Sequence, residues 1–153
     1  MDLNPQDLEK LARLTLEHYD QRAEQFWEGT RDHDVGQNIA ALLQYIDSKP
    51  PFTILDFGCG PGRDLKVFTE LGHIAVGLEG AAHLAAMARA HSGCEVWQQD
   101  FLKLDLPDNH FDGRVRQRRS LSCTQPGVAA RVAGTARKSE TGWCAVQLQS
   151  ARP

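Results

Sequence analysis

The run Phe52-Thr-Ile-Leu-Asp-Phe-Gly-Cys-Gly-Pro-Gly-Arg-Asp64 constrains this chain more than any other stretch. Phe52 to Leu55 lack polar alternation, the pattern of a central parallel strand covered on both faces. The strand breaks into a turn holding Gly58, Cys59, Gly60 and Gly62, and a helix opens at Arg63. Glycine has no Cβ, so this turn is expected to bring bare backbone N–H groups against a ligand. Asp56 stands at the strand's C-terminal end, the edge where open α/β sheets bind their ligands. The expected class is α/β, with the site on that edge.

A dinucleotide fingerprint would place its third glycine at position 63, which is Arg63. Such a strand also seldom carries an acid where Asp56 stands, so a NAD-type or flavin oxidoreductase is the weaker alternative. Helical spacing of Leu65, Phe68 and Leu71 predicts a helix over 63–71, with Gly72 as its stop. A second strand, His73 to Leu78, ends in Glu79, with Gly80 beside it. One strand–helix–strand unit separates Asp56 from Glu79, so both acids arrive at the same sheet edge. A carboxylate there can accept hydrogen bonds from both ribose hydroxyls of a nucleoside. Ala81 to His91 reads as a helix with Leu84, Met87 and Ala88 inward. Cys94 to Gln98 reads as a third strand, followed by Gln99-Asp100-Phe101. Phe111-Asp-Gly113 reads as the start of a fourth.

Upstream, Asn4 caps a helix with Pro5 at its first position. Leu8, Leu11, Leu14 and Thr15 are expected to form its buried face, continued by Tyr19, Arg22 and Phe26. A second helix, about Asp34 to Asp47, is expected to bury Val35, Ile39, Leu42, Leu43 and Ile46. Lys49-Pro50-Pro51 ends it and feeds the first strand.

The order Asp-x-Gly-x-Gly-x-Gly resembles the first motif of class I S-adenosylmethionine-dependent methyltransferases. The segment Tyr19-Asp-Gln-Arg-Ala-Glu-Gln-Phe26 is similar to the Tyr-Asp-x-x-Ala motif before the core of many small-molecule members. The resemblance covers about residues 5–113. It implies a Rossmann-like, mostly parallel sheet and S-adenosyl-L-methionine as cofactor. Asp56, Gly58, Cys59, Gly60 and Gly62 would then form the cofactor turn, with Asp56 orienting the methionine end or holding the turn. Glu79, beside Gly80, would grip the ribose, and Asp100 the adenine amino group. Phe101 would supply a backbone N–H and an apolar wall, and Tyr19 would help to close over the cofactor. A packed amphipathic helix accounts for Tyr19 equally well. No catalytic base is identified, and the implied methyl acceptor is a small molecule.

The chain changes character at Gly113. Residues 1–113 hold 19 acidic against 9 basic side chains, a net of −10, whereas residues 114–153 hold 1 against 8, a net of +7. Every Phe, Ile, Tyr and His precedes residue 114. The expected organisation is a helical segment over 1–50, a partial cofactor-binding core over 51–113, and a basic, poorly ordered tail over 114–153. That tail has neither a helical nor a strand period and too few large apolar side chains to offset its ordering entropy.

Three explanations compete for the tail: a basic nucleic-acid-binding arm, suggested by Arg114-Val-Arg-Gln-Arg-Arg119; an ordinary disordered tail; or a frameshift. Shifting the tail's reading frame forward by one base, with free synonymous codons, permits Val-Phe-Ala-Asn in place of Arg114 to Gln117, which completes the fourth strand. The same shift permits Leu-Phe-His-Val-Pro-Ser at 120–125, an amphipathic helix over 126–136, and Leu-Lys-Pro-Gly-Gly-Val-Leu-Phe at 139–146. The last string resembles the family's approach to its fifth strand. The frameshift is the favoured reading. It implies a truncated product, weakly active or inactive, on a marginal scaffold with an open sheet edge.

Other features set bounds. The polar N-terminus has no secretory h-region, and no stretch approaches the roughly 20 apolar residues of a membrane span, so a cytoplasmic protein without a membrane partner is expected. Cys59, Cys94, Cys123 and Cys144 lack metal-ligand spacing, and Cys59, inside the turn, and Cys94, at the start of a strand, are expected to be reduced. His18, His33 and His110 are expected at the surface, and Thr30-Arg-Asp-His-Asp34 is a candidate for the mouth of the site.

Overall fold

The apolar run after Pro51 becomes β1, Thr53–Phe57, at the interior of a mostly parallel sheet. The computed structural model describes residues 4–46, 48–107, 110–117, 136–138 and 143–147. Helices α1 (Pro5–Gln21), α2 (Ala23–Thr30) and α3 (Gly36–Leu43) precede β1. After it come α4 (Arg63–Glu70), β2 (Ile74–Glu79), α5 (Ala82–Ser92), β3 (Glu95–Gln98), β4 (Gly113–Gln117), β5 (Ala136–Lys138) and β6 (Trp143–Gln147). The strand order is β3-β2-β1-β4-β6-β5. β1 pairs in parallel with β2 and β4, and β2 with β3, whereas β6 runs antiparallel to both β4 and β5. N-terminal helices on a Rossmann-like sheet are the class the sequence pointed to.

Successive strand residues face opposite ways, and the core divides accordingly. Ile54, Ala75 and Val96 face α3, α4 and α5, where they pack with Ile39, Leu65, Phe68 and Ala85. Leu55, Phe57, Val76 and Leu78 face the other way, against Phe101 and Phe111. The entrance of β1 is fixed from the side: Thr53 N donates to Asp112 Oδ2 and Asp112 N donates to the Thr53 carbonyl, both at 2.7 Å. This pair sets the register in which β4 begins opposite Ile54.

Two expectations change. The N-terminal helix breaks at Arg22 (φ −120°, ψ 18°), and Leu11 and Leu14 are about half exposed. The covered face instead carries Leu16, Tyr19, Ala23 and Phe26, which pack with Ala81 and Leu84 at the start of α5. Leu8 and Thr15 are half-buried. The tail beyond Gly113 also contributes strands although its side chains show no strand period. Neighbouring strands supply backbone partners to residues 114–117 and 143–147 whatever side chains those residues carry. Residues 118–135, 139–142 and 148–153, which hold Cys123 and part of the expected basic arm, lie outside the described residues. Asp47, the expected end of the second helix, does too. Among the described residues no helix is long and apolar enough to cross a membrane.

Candidate functional site

Parallel pairing puts the C-terminal ends of β1, β2 and β3 side by side, with Phe57 opposite Leu78 and Glu79 opposite Gln98. The loops that leave these ends are joined by hydrogen bonds. Gly60 N donates to Glu79 Oε2 at 2.9 Å, and Gln99 N donates to the Glu79 carbonyl at 3.2 Å. The glycine turn, the Glu79–Gly80 step and the Gln99–Asp100 step therefore share one edge.

The turn does not present bare donors, contrary to expectation. Gly58 N and Cys59 N both donate to the Leu78 carbonyl, Gly60 N to Glu79, and Gly62 N to the Cys59 carbonyl. The next strand takes the first three of these groups and the turn itself takes the fourth, so what the glycines offer is bare Cα surface. Gly60, at φ +54°, faces Phe26 of α2: a Cβ there would stand 3.3 Å from Phe26 Cε1. Gly62 serves packing instead, its missing Cβ leaving room for the backbone of Ala88 in α5.

Asp56 is fully buried, and neither carboxylate oxygen has a hydrogen-bond partner among the described residues. Burial pushes its carboxyl well above the usual range; Asp64 and Glu79 push the same way, and Arg63 opposes them. Asp64, in the first turn of α4, is itself buried and accepts from Arg63 Nε at 2.7 Å. Glu79 is also buried. Its Oε1 accepts from Gly80 N (2.8 Å) and Ala81 N (3.0 Å), in addition to the Gly60 bond on Oε2. Burial raises its carboxyl while those three N–H groups lower it. Burial raises the Cys59 thiol, reinforced by Asp56, so Cys59 is a neutral packing group against Gly77.

Asp100 is exposed and its Oδ1 accepts from Leu102 N at 2.9 Å. The ring of Phe101 lies 4.7 Å from that of Phe57 in the far core. The ring is thus committed to packing, which leaves the backbone N–H as the contribution of Phe101 to a ligand. Tyr19 meets Phe26 edge to face at 6.0 Å, above the loop after β2. Leu16 fills the space that a Cβ on Gly80 would need. Thr30, from the expected mouth of the site, reaches the turn through its carbonyl, which accepts from Arg63 Nη1 at 2.9 Å. His18, His33 and His110 are exposed. Among the described residues no cluster of side chains could hold a metal ion.

Sequence reasoning did not single out Asp64, Arg63 or Phe26 as parts of this site. An acid in a helix's first turn reads as a partner for the helix dipole, and nothing local marks Asp64 as buried. The assembled residues fit a cationic nucleoside ligand. Three buried acids, Asp56, Asp64 and Glu79, lie around a turn with one arginine, and among the described residues the oxygens of the Asp56 carboxyl have no hydrogen-bond partner. A positive ligand group would relieve that imbalance.

A family model described as a methyltransferase domain matches residues 54–138. Over 94 residues the chain is 35% identical to 24-methylenesterol C-methyltransferase 2 of Oryza sativa subsp. japonica, a match covering 56% of this chain and 24% of that protein. It is 32% identical over 96 residues to the probable tRNA methyltransferase 9B of Bos taurus, covering 54% and 20% respectively. The fold is similar to that of the DhpI–SAH complex, with a TM-score of 0.51 and 18% identity, covering 90% of this chain and 80% of that one. The chain spans less than half the length of the curated relatives it matches.

Proposed function

Because the chain belongs to the methyltransferase domain family, we propose that its sheet edge binds S-adenosyl-L-methionine and serves methyl transfer to a small-molecule acceptor. The observation that carries this reading is the buried, unpartnered Asp56 carboxylate beside a glycine turn tied to Glu79. When bound, the cofactor supplies an electrophilic methyl group on a sulfonium. The protein contributes binding, alignment and exclusion of water. Asp56 would face the cationic methionine end. Gly58, Cys59, Gly60 and Gly62 would shape the turn, with Gly60 giving the closest approach. Glu79 keeps acceptor capacity for a ribose hydroxyl while anchoring the Gly60 and Gly80 amides. Asp100, with the Phe101 N–H, would take the adenine, and Tyr19 with Phe26 would cover the site.

A small acceptor is preferred over nucleic acid because residues 1–113 carry a net charge of −10, which repels a phosphate backbone. The tRNA-directed name of one relative makes a tRNA-binding assay the direct check. Calorimetry with S-adenosylhomocysteine tests the cofactor reading. Binding weakened at least about tenfold by Glu79→Ala and by Asp100→Ala is expected, tenfold being about 1.4 kcal/mol. Heat protection by NAD in place of the adenosyl ligand would overturn it.

The frameshift belongs to the same proposal, with its consequence of a truncated, weakly active or inactive product. Arg114 supports it: the residue is buried in β4, opposite Leu55 of the central strand, a position where the shifted frame permits Val. The proposed organisation is a helical segment over 1–50, a partial cofactor-binding core over 51–113 and a non-native tail over 114–153, in a cytoplasmic setting. Sequencing the gene across codons 112–115 decides it, and an unshifted frame would remove it.

A further inference from the structure

Arg63 opens α4 directly after the glycine turn, yet its side chain serves another element. Nε donates to Asp64 Oδ1 at 2.7 Å and Nη1 donates to the Thr30 carbonyl at 2.9 Å. Thr30 is the last residue of α2, where helix carbonyls lack intrahelical partners and the dipole is negative. A guanidinium suits that place, being permanently charged and able to serve two acceptors from one rigid plane. Its side chain is only 16% exposed, and a charge-assisted hydrogen bond is stronger away from water. One helical turn before Thr30 lies Phe26, whose carbonyl accepts from Thr30 Oγ1 at 2.7 Å and whose ring lies on Gly60. The Arg63–Thr30 bond therefore fixes the turn of α2 that covers the glycine turn.

Other contacts hold the N-terminal helices elsewhere. His83 N donates to Asp20 Oδ1 at 2.8 Å, His83 Nε2 lies 3.0 Å from Glu24 Oε1, and Trp27 meets His91 at 4.4 Å between ring centroids. All three dock α1 and α2 on α5. Only Arg63 ties the end of α2 to the turn itself among the bonds described.

We propose that Arg63 is a positioning residue that latches the end of α2 to the glycine turn, so that Phe26 stays on Gly60 and a nucleoside bound beside the turn is retained. The retention rests on the adenosyl-ligand reading above; the latch itself does not. Hydrogen exchange and ligand dissociation in the full chain test the two parts separately. Arg63→Gln, which also removes the ion pair with Asp64 at the start of α4, is expected to accelerate exchange of the amides at 26–31 about tenfold, the effect of losing the bond to Thr30, with β1 and β2 unchanged. S-adenosylhomocysteine is expected to leave about tenfold faster, and Arg63→Lys, which keeps a charged donor, to fall between. Unchanged exchange at 26–31, or an equal rise in β1 and β2, overturns the latch. Local loosening with unchanged dissociation overturns retention. If the wild-type chain binds no S-adenosylhomocysteine, the cofactor reading fails and exchange alone decides the latch. Should Arg63→Gln not fold, Phe26→Ala is expected to give the faster dissociation without altering α4, and unchanged dissociation there overturns the proposal.

Discussion

Gly62→Ala separates two reasons for a glycine in the turn. Gly62 has φ +86° and ψ 21°, in the left-handed region, where a Cβ costs roughly 1–2 kcal/mol. That Cβ would stand 2.9 Å from Ala88 Cα and 3.0 Å from Ala88 Cβ and O. These are mainly backbone atoms of α5 and cannot rotate away, so α4 and α5 must separate. Overpacking of this kind costs about 1–3 kcal/mol. The expected loss is therefore about 2–5 kcal/mol, a large part of the roughly 5–15 kcal/mol that holds a domain folded. Gly72 is the matched control. Its φ is +87°, but nothing lies within 4 Å of an added Cβ, so Gly72→Ala carries the strain alone. Urea denaturation followed by circular dichroism gives both values, and an unchanged m-value shows that the denatured state is unaltered. Equal losses for the two variants would refute the close approach of α4 and α5 through Gly62.

The buried acids predict a pH slope. Burial first, then neighbouring charge, holds the Asp56 carboxyl above its ordinary value, and burial does the same at Glu79. The folded state therefore binds these protons more tightly than the unfolded chain. Stability is expected to fall as pH rises from about 4 through the folded-state values, and to return on acidification. Asp56→Asn should flatten that fall in urea midpoints measured across the window; an unchanged slope contradicts the assignment. At Gly77 an added Cβ would stand 2.7 Å from Cys59 Sγ and 2.8 Å from Leu65 Cδ1. Gly77→Ala is expected to cost about 1–3 kcal/mol, and combining it with Cys59→Ala should recover part of the loss; strictly additive losses in the double variant contradict that contact.

The strand–turn–helix run was legible because each of its signals is local: an unbroken apolar stretch, three glycines and a strand-end acid. The end of α4 was legible for the same reason, with Gly72 at positive φ just past it. The covered face of α1 was not. Leu8, Leu11, Leu14 and Leu16 make two overlapping stripes, and the packing of Leu16 and Tyr19 on the start of α5 and on Gly80 selects between them. The inward turning of the Gly58 and Cys59 amides depends on the Leu78 carbonyl of another strand, which no local pattern displays. The start of β4 was legible in Phe111-Asp112-Gly113, whereas β5 and β6 were not, because their pairing depends on β4 and on each other and no local pattern displays it.

One carboxylate, that of Glu79, holds the amides of Gly60, Gly80 and Ala81. Two loops at the strand ends thus share a single hinge pin. An exchange at position 79 cannot act on one loop alone: an aspartate, one methylene shorter, would let go of one of them first. On the adenosyl-ligand proposal, variation in the guest must then arise in the residues around this pin, whose length is set by the gap between two loops.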